Sequence, residues 1–314
     1  MKGNPTVGEK ARLRKKNLIK VYDVLELARR RLLYDISPVL LVQYLSLKTG
    51  GRLFHPGRAR TFEDKLRWLM LYWREPLKTR CTDKYAVRIY VSEHGLDRLL
   101  PELLGVYGSS VEIDFASLPE KFVLKCTHGS GFNLLCRDKA RFDVAGARKK
   151  LDRWMKTDIS KINGEVHYAP IRPRIICETF LGDPAAGSIN DYKIHCFHGR
   201  PHCTMVCSER DPETRKSKFD YYDVAWEHKL PYCRPGLSTG RDIPKPDAYA
   251  EMIEAARELS APFPFVRVDL YSFRGKVVFG EMTFTPNGCV DIDLTDLAQN
   301  TMGDLIVLPA KRLL

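Results

Sequence analysis

The chain has 314 residues, with 51 Lys and Arg against 39 Asp and Glu, a formal charge of +12. Apolar residues at 44% and charged residues at 29% exclude a disordered chain, and 21 Gly with 19 Pro, without period, exclude collagen-like and low-complexity classes. The surplus charge sits at one end: residues 1–31 hold ten basic and three acidic side chains, +7, which leaves +5 for everything else. That distribution describes a basic arm on an ordinary body and speaks against a nucleic-acid groove.

In chain order, residues 1–16 read as a flexible basic tail. From Asn17, Leu18, Val21, Leu25, Ala28, Leu32 and Leu33 recur at three- and four-residue steps, which predicts an amphipathic helix. The favoured expectation is that this stripe packs on the body and leaves a solvated basic face. The alternative is a helix lying on an anionic membrane surface. Further helices are expected from Thr61 to about Tyr72 and from near Thr82 to before Gly95.

After Pro119, Phe122 to Cys126 and Phe132 to Cys136 read as strands around a glycine loop, THGSG. A helix over Val144 to Met155 and a strand over Arg174 to Leu181 follow. Asp191 to Phe197 and Cys203 to Cys207 read as a hairpin across HGRP, and 208–246 as loops with short strands. A helix from Ala248 to Leu259 leads into a last hairpin, Phe265 to Phe284, turning at Arg274-Gly275. Strands and helices mix without strict alternation, so the fold class is α+β. The divisions expected are a basic tail with a helical region (1–80), a nucleotide subdomain (81–182) and a catalytic subdomain (183–314).

No apolar run reaches the length of a membrane span, and no secretory leader is visible, so a cytoplasmic protein is expected, with peripheral contact at the inner membrane face through the basic N-terminus as an option. Nine scattered cysteines, an odd number, read as reduced and buried thiols.

Three segments carry chemistry. In the last hairpin, Arg267 and Asp269 share one strand face, and Glu281 and Thr283 share a face on the return strand. A three-residue loop over 274–276 sets Asp269 opposite Glu281 and Arg267 opposite Thr283, whereas a two-residue loop would break that facing. Two carboxylates so placed repel each other unless a cation lies between them, and hard oxygen ligands suit magnesium.

In FVLKCTHGSG, Gly129 and Gly131 either free backbone N–H groups for phosphate or form a plain hairpin turn, and Lys125, beside His128, interrupts an apolar run and needs an anionic partner. In RIICETFL, Glu178 either receives a base amino group or ribose hydroxyl, or forms a salt bridge. His195, Cys196, His198, His202, Cys203 and Cys207 have the composition of a zinc site but none of its usual spacings, so structural roles are expected for them.

TFEDKLRWLMLY, TDKYAVRIYV, FVLKCTHGSG, PRIICETFL, NDYKIHCFHGRP and FPFVRVDLY with GKVVFGEMTF, in this order over about 52–290, together resemble the TupA-like branch of the ATP-grasp superfamily. The resemblance implies an ATP-grasp fold and an ATP- and Mg2+-dependent ligase that joins a carboxylate to an amine through an acyl phosphate, in surface-polysaccharide biosynthesis. It implies Lys84 and Lys125 as nucleotide-contacting lysines and His128, Gly129, Ser130 and Gly131 as a phosphate-covering loop. Glu178 to Leu181, with Phe180, would be the adenine hinge, and Asp183 a ribose contact. Lys193, Arg210 and Arg267 would serve phosphate and the intermediate, and Asp269, Glu281 and Thr283 would hold magnesium. The usual E-x-N of the superfamily is E-x-T here, which exchanges an amide ligand for a weaker hydroxyl.

The expected partners are an acidic glycan or amino-acid carboxylate and an amine, with no nucleic acid. Rival readings are a sugar kinase on the same scaffold, a glycosyltransferase using Asp291-Ile292-Asp293, and a binding protein without catalysis.

Overall fold

The computed structural model describes residues 7–182, 189–211 and 216–313, with side chains from Tyr22 onward. The first helix, α1 (Val7–Ile36), begins at Val7 and not at Asn17, so helix replaces the expected tail over 7–16. It turns at Ser37 into α2 (Pro38–Gly50), where Ser37 caps the Val39 N–H and Pro38 sits in the first turn.

The expected orientation of α1 is reversed. Leu25 and Leu32 are 60% and 61% exposed, while Glu26 is buried at 8%. Glu26 faces α2 and accepts from Tyr44 Oη (2.7 Å), Lys48 Nζ (2.6 Å) and Arg30 Nε (2.9 Å). A polar seam therefore joins the two helices, and the apolar stripe turns outward.

Helix α3 (Phe62–Tyr72) starts where its sequence predicts, with Thr61 Oγ1 accepting from the Asp64 N–H. The helix expected near Thr82 is two helices, α4 (Pro76–Thr82) and α5 (Ala86–Glu93). Asp83 breaks them, its Oδ1 accepting from the Tyr85 and Ala86 amides, so the backbone turns once between them. Lys84 lies in that turn, and its N–H donates to the Thr127 carbonyl at 3.2 Å. Lys78 on α4 is 3% exposed and donates to the carbonyls of Leu69 (3.0 Å) and Trp73 (2.8 Å) at the end of α3.

The first sheet holds β1 (Leu103–Tyr107), β2 (Phe122–Cys126), β3 (Asn133–Cys136) and β4 (Ile175–Thr179) in the order β1-β4-β2-β3, all antiparallel. Helix α6 (Val144–Met155) covers one face of it through Ala147 and Leu151, against Phe122, Leu124, Ile175 and Cys177. The short α7 (Ser160–Asn163) meets α1 and α2.

The second sheet holds β5 (Asp191–Phe197), β6 (Arg200–Ser208), β7 (Lys218–Asp223), β8 (Lys229–Leu230), β9 (Phe265–Phe273) and β10 (Lys276–Thr283), in the order β10-β9-β5-β6-β7-β8. Alternation puts Tyr192, Ile194, Val266, Val268 and Leu270 on one face, under α8 (Tyr249–Ser260) and α5. At one end of the other face, Phe197, Cys203, Met205, Tyr221 and Phe265 pack against α3 and α9 (Asp296–Asp304). The rest of that face carries charge. All nine cysteines are free thiols and eight are buried.

The register of β9 and β10 corrects the expected turn while keeping its consequence. Lys276 pairs with Phe273, so the loop has two residues, Arg274 and Gly275, with φ of 53° and 74°. Both angles are positive, the mark of a tight hairpin turn that matches strand twist. The register then shifts at Gly280, and from there Glu281 pairs with Asp269 and Thr283 with Arg267. A bulge thus restores the facing that the two-residue loop alone would lose. A Cβ on Gly280 would lie 2.8 Å from the Asp269 carbonyl oxygen.

Candidate active site

Asp269 stands in mid-strand at the centre of the charged face, 2% exposed, with Lys193 paired to it from β5 and Glu281 from β10. Its carboxylate accepts two bonds from Arg267, Nε to Oδ1 at 2.7 Å and Nη2 to Oδ2 at 2.8 Å, the strong two-point form of ion pair. Lys193 Nζ lies 2.5 Å from Oδ2 and 3.5 Å from Asp191 Oδ2. Asp191 also accepts from Arg210 Nη2 at 2.6 Å. Arg267 Nη2 reaches Thr283 Oγ1 at 3.3 Å, and the Thr283 hydroxyl donates to Glu281 Oε1 at 3.3 Å. The site residues on these three strands are thus gathered into one network.

Lys84 connects the two sheets. Its Nζ donates to the Gly129 carbonyl at 3.0 Å and lies 3.3 Å from Glu281 Oε2. Burial alone would raise the Glu281 carboxyl, but Lys84, Lys193 and Arg267 outweigh it and hold it at about 2, so Glu281 is ionised at neutral pH. Two facing carboxylates are here held by ammonium and guanidinium groups in the place where a divalent cation would neutralise them. Asp269, Glu281 and Thr283 form a hard oxygen set of the kind magnesium takes.

On the first sheet, Lys125 Nζ lies 2.6 Å from Glu178 Oε2, and Arg88 Nη1 donates to Oε1 at 2.7 Å. Glu178 is therefore the anionic partner that Lys125 needed, and of the two readings of Glu178 the salt bridge is present. Gly129 approaches the Phe132 ring so closely that a Cβ would come within 2.5 Å of it, and Gly131 takes φ +73°. Ser130 and Gly131 are exposed at the loop tip.

His128 differs from the loop role expected of it. It is buried, its Nε2 bonds to the Trp154 carbonyl at 3.0 Å, and burial pushes its imidazole pKa down. It anchors the loop to α6 from beneath. Phe180 follows β4, with the Arg137 guanidinium 6.0 Å from its ring centre. Asp183 lies outside the described residues.

Several site residues escape the sequence reading. Arg88 sits one helical turn beyond Lys84, and Asp191 two residues before Lys193, so helical and strand periodicity respectively could have found them. Glu165 could not be found this way, because it lies in an irregular segment. It is buried, bonded by the Thr285 hydroxyl and by Asn163 Nδ2 (3.2 Å), and burial raises its pKa. His195 pairs in register with Arg267, packs near Phe62, Tyr221 and Phe265, and is pushed well down by burial and then by Arg267. Asp291 Oδ1 accepts from the Asp293 amide at 3.1 Å, and the Asp291 amide donates to Glu63, so this D-x-D is engaged locally. Among the described residues no group of three His, Cys, Asp or Glu side chains is gathered as a metal holder.

The family model for TupA-like ATPgrasp matches residues 64–307, which span both sheets and every strand named above. The chain belongs to the TupA-like ATP-grasp family. Its two antiparallel sheets with their helices, joined through Lys84, are the ATP-grasp fold of this member.

Solved structures similar to this TupA-like chain include D-alanine–D-alanine ligase from Bacillus anthracis, 15% identical, with a TM-score of 0.43, covering 72% of this chain and 66% of that one. D-cycloserine synthetase DcsG is 15% identical, with a TM-score of 0.42, over 73% of this chain and 70% of that one. The ATP-grasp ligase PsnB with its minimal precursor is 12% identical, with a TM-score of 0.39, over 74% and 62%. The TupA-like chain thus spans just under two thirds of the length of the first and third of these. No curated protein sequence matches it.

Proposed function

We propose that this chain is an ATP- and magnesium-dependent carboxylate–amine ligase working through an acyl phosphate. The observation that carries the reading is the Asp269–Glu281 pair, facing across β9 and β10 and held by Lys193, Arg267 and Lys84, with Lys84 also touching the glycine loop at Gly129.

In the first step a substrate carboxylate oxygen attacks the γ-phosphorus, the bond to the bridging oxygen breaks, and ADP leaves with that electron pair. In the second, an amine attacks the acyl carbon, phosphate departs, and the amine gives up a proton. Lys84 and Lys193, released from their carboxylates, carry positive charge to the phosphates, where it counts most as the transition state forms. Arg267, fixed by two bonds to Asp269, holds its guanidinium at the reacting group without reorganising. Magnesium held by Asp269, Glu281 and the Thr283 hydroxyl would supply neutralisation of phosphate charge. Lys125, tethered by Glu178, faces the nucleotide side, and Ser130 and Gly131 offer backbone N–H groups at the loop tip.

The carboxylate is proposed to come from a uronic-acid glycan or an amino acid, and the product to be an amino-acid-decorated surface polysaccharide. The test is release of ADP and inorganic phosphate from Mg-ATP across panels of uronates, amino acids and amines. No stimulation above the ATP-only background by any pair would sink the ligase reading. Phosphorus NMR separates the kinase alternative, since a kinase leaves a phosphomonoester and a ligase liberates inorganic phosphate.

A further inference from the structure

Helix α1 packs with the wrong side in for a globular helix. The stripe Glu26, Arg30 and Leu33, at steps of four and three, faces inward, with Glu26 tied to Tyr44 and Lys48 of α2 and Arg30 reaching the Ile162 carbonyl. On the neighbouring stripe, Leu25, Arg29, Leu32 and Ile36 at steps of four, three and four, the three apolar side chains face solvent, Ile36 at 64% exposed, while Arg29 reaches back to donate to Tyr44 Oη at 3.3 Å. Val24 on α1 and Leu47 on α2 add exposed apolar surface. Isolated exposed leucines are ordinary, but a periodic stripe beside a satisfied polar seam is a surface built to be covered.

Charge decides what covers it. Residues 1–31 carry +7, and Leu18 and Val21 extend the same apolar period toward the N-terminus, among Lys10, Arg12, Arg14, Lys15, Lys16 and Lys20. A second copy would bring +7 against +7. A polyanion such as an acidic glycan offers nothing apolar to a stripe of Leu and Ile. A membrane surface containing anionic lipid offers both acyl chains and negative charge. Among the described residues no helix is long and apolar enough to cross a membrane, so the contact is along the surface.

We propose that the exposed Leu25–Leu32–Ile36 face of α1, with its basic flanks, docks the protein on an anionic lipid surface. The polar seam, in which Glu26 accepts from Tyr44 and Lys48 and Arg29 donates to Tyr44 Oη at 3.3 Å, then keeps α1 oriented, since rotating the helix would break these bonds.

The experiment is flotation of the full chain with phosphatidylcholine vesicles, with and without about 30% phosphatidylglycerol. Binding is expected only to the anionic vesicles and to weaken with salt. Leu25→Asp with Leu32→Asp should lower it at least about tenfold, and Arg29→Glu with Arg31→Glu by about the same factor. All four positions are exposed, and unchanged circular dichroism and melting confirm that the variants fold. Three results would overturn the proposal: no binding of the full chain to anionic vesicles at low salt, binding indifferent to the leucine substitutions, or a concentration-dependent dimer in sedimentation that the same substitutions abolish. Because lipid binding is read without turnover, failure of the ligase assay and failure of docking remain distinct.

Discussion

The two sheets place charge in different ways. In the four-stranded sheet, Lys125 and Glu178 each stand one residue from a strand end, next to a glycine loop or a turn. In the six-stranded sheet, Lys193 and Asp269 are inside strands laddered on both sides, and Glu281 is inside the edge strand β10, held against Asp269 by the single β9–β10 ladder. The first arrangement leaves the cationic group adjustable around its partner. The second fixes carboxylates relative to one another, as positioning at a reacting centre requires. A bound nucleotide can be followed by a side chain at a strand end, but a paired set of oxygen ligands has to be prearranged.

Substitutions can break this contrast at graded depth. The largest effect is expected from Asp269→Asn, which keeps shape but leaves the buried Arg267 and Lys193 short of an anion. Breaking a buried pair from one side costs about 3–5 kcal/mol, read as a fall in melting temperature. Turnover should drop about 100- to 1000-fold as charge stabilisation at the reacting group is lost. Full activity in this variant would show that the mid-strand carboxylate is structural.

Next is Gly280→Ala, which removes no charged group. Its Cβ would meet the Asp269 carbonyl at 2.8 Å and the Tyr271 ring at 2.9 Å, so the bulge must open or move. Overpacking of this kind costs about 1–3 kcal/mol. ADP release should fall with it, because the facing of Asp269 and Glu281 depends on the shift at residue 280. A variant that loses stability but keeps turnover would separate register from chemistry.

The smallest effect belongs to the first sheet. Glu178→Gln removes the charge shared by Lys125 and Arg88 and should raise KM for ATP about tenfold, about 1.4 kcal/mol, with kcat little changed. A kcat effect as large as that of Asp269→Asn would erase the difference between the two halves.

The contrast also explains what could be read in advance. Periodicity and capping gave α3 from Thr61, α6 over its full length, and the strand faces bearing Arg267, Asp269, Glu281 and Thr283. The facing of Asp269 and Glu281 was legible, but its cause was not. A Gly in a strand signals a possible bulge without showing which register it restores. The break at Asp83 was missed because an Asp inside an apolar period looks like an exposed helical position, although its side chain caps the next helix. Helix α1 was misoriented for a related reason. An apolar period marks one face of a helix, and nothing in it says whether that face meets the body or another phase. Glu165 was invisible because its burial comes from Thr285, 120 residues away.

Lys78 has a consequence for how the molecule is held together. Burial pushes its amine down to about 7, against the 10.5 usual for lysine. A neutral amine has two N–H groups, and the carbonyls of Leu69 and Trp73 are two acceptors, so the deprotonated form is satisfied at the end of α3. Between about pH 7 and 10.5 the unfolded chain keeps a proton that the folded chain has released, so this group makes stability rise with pH across that window. The slope is about 1.4 kcal/mol per pH unit, and Lys78→Met should flatten it in a series of melting curves. The joint between the end of α3 and α4 is thus a proton-linked fastening that tightens in mildly alkaline solution and loosens toward acid.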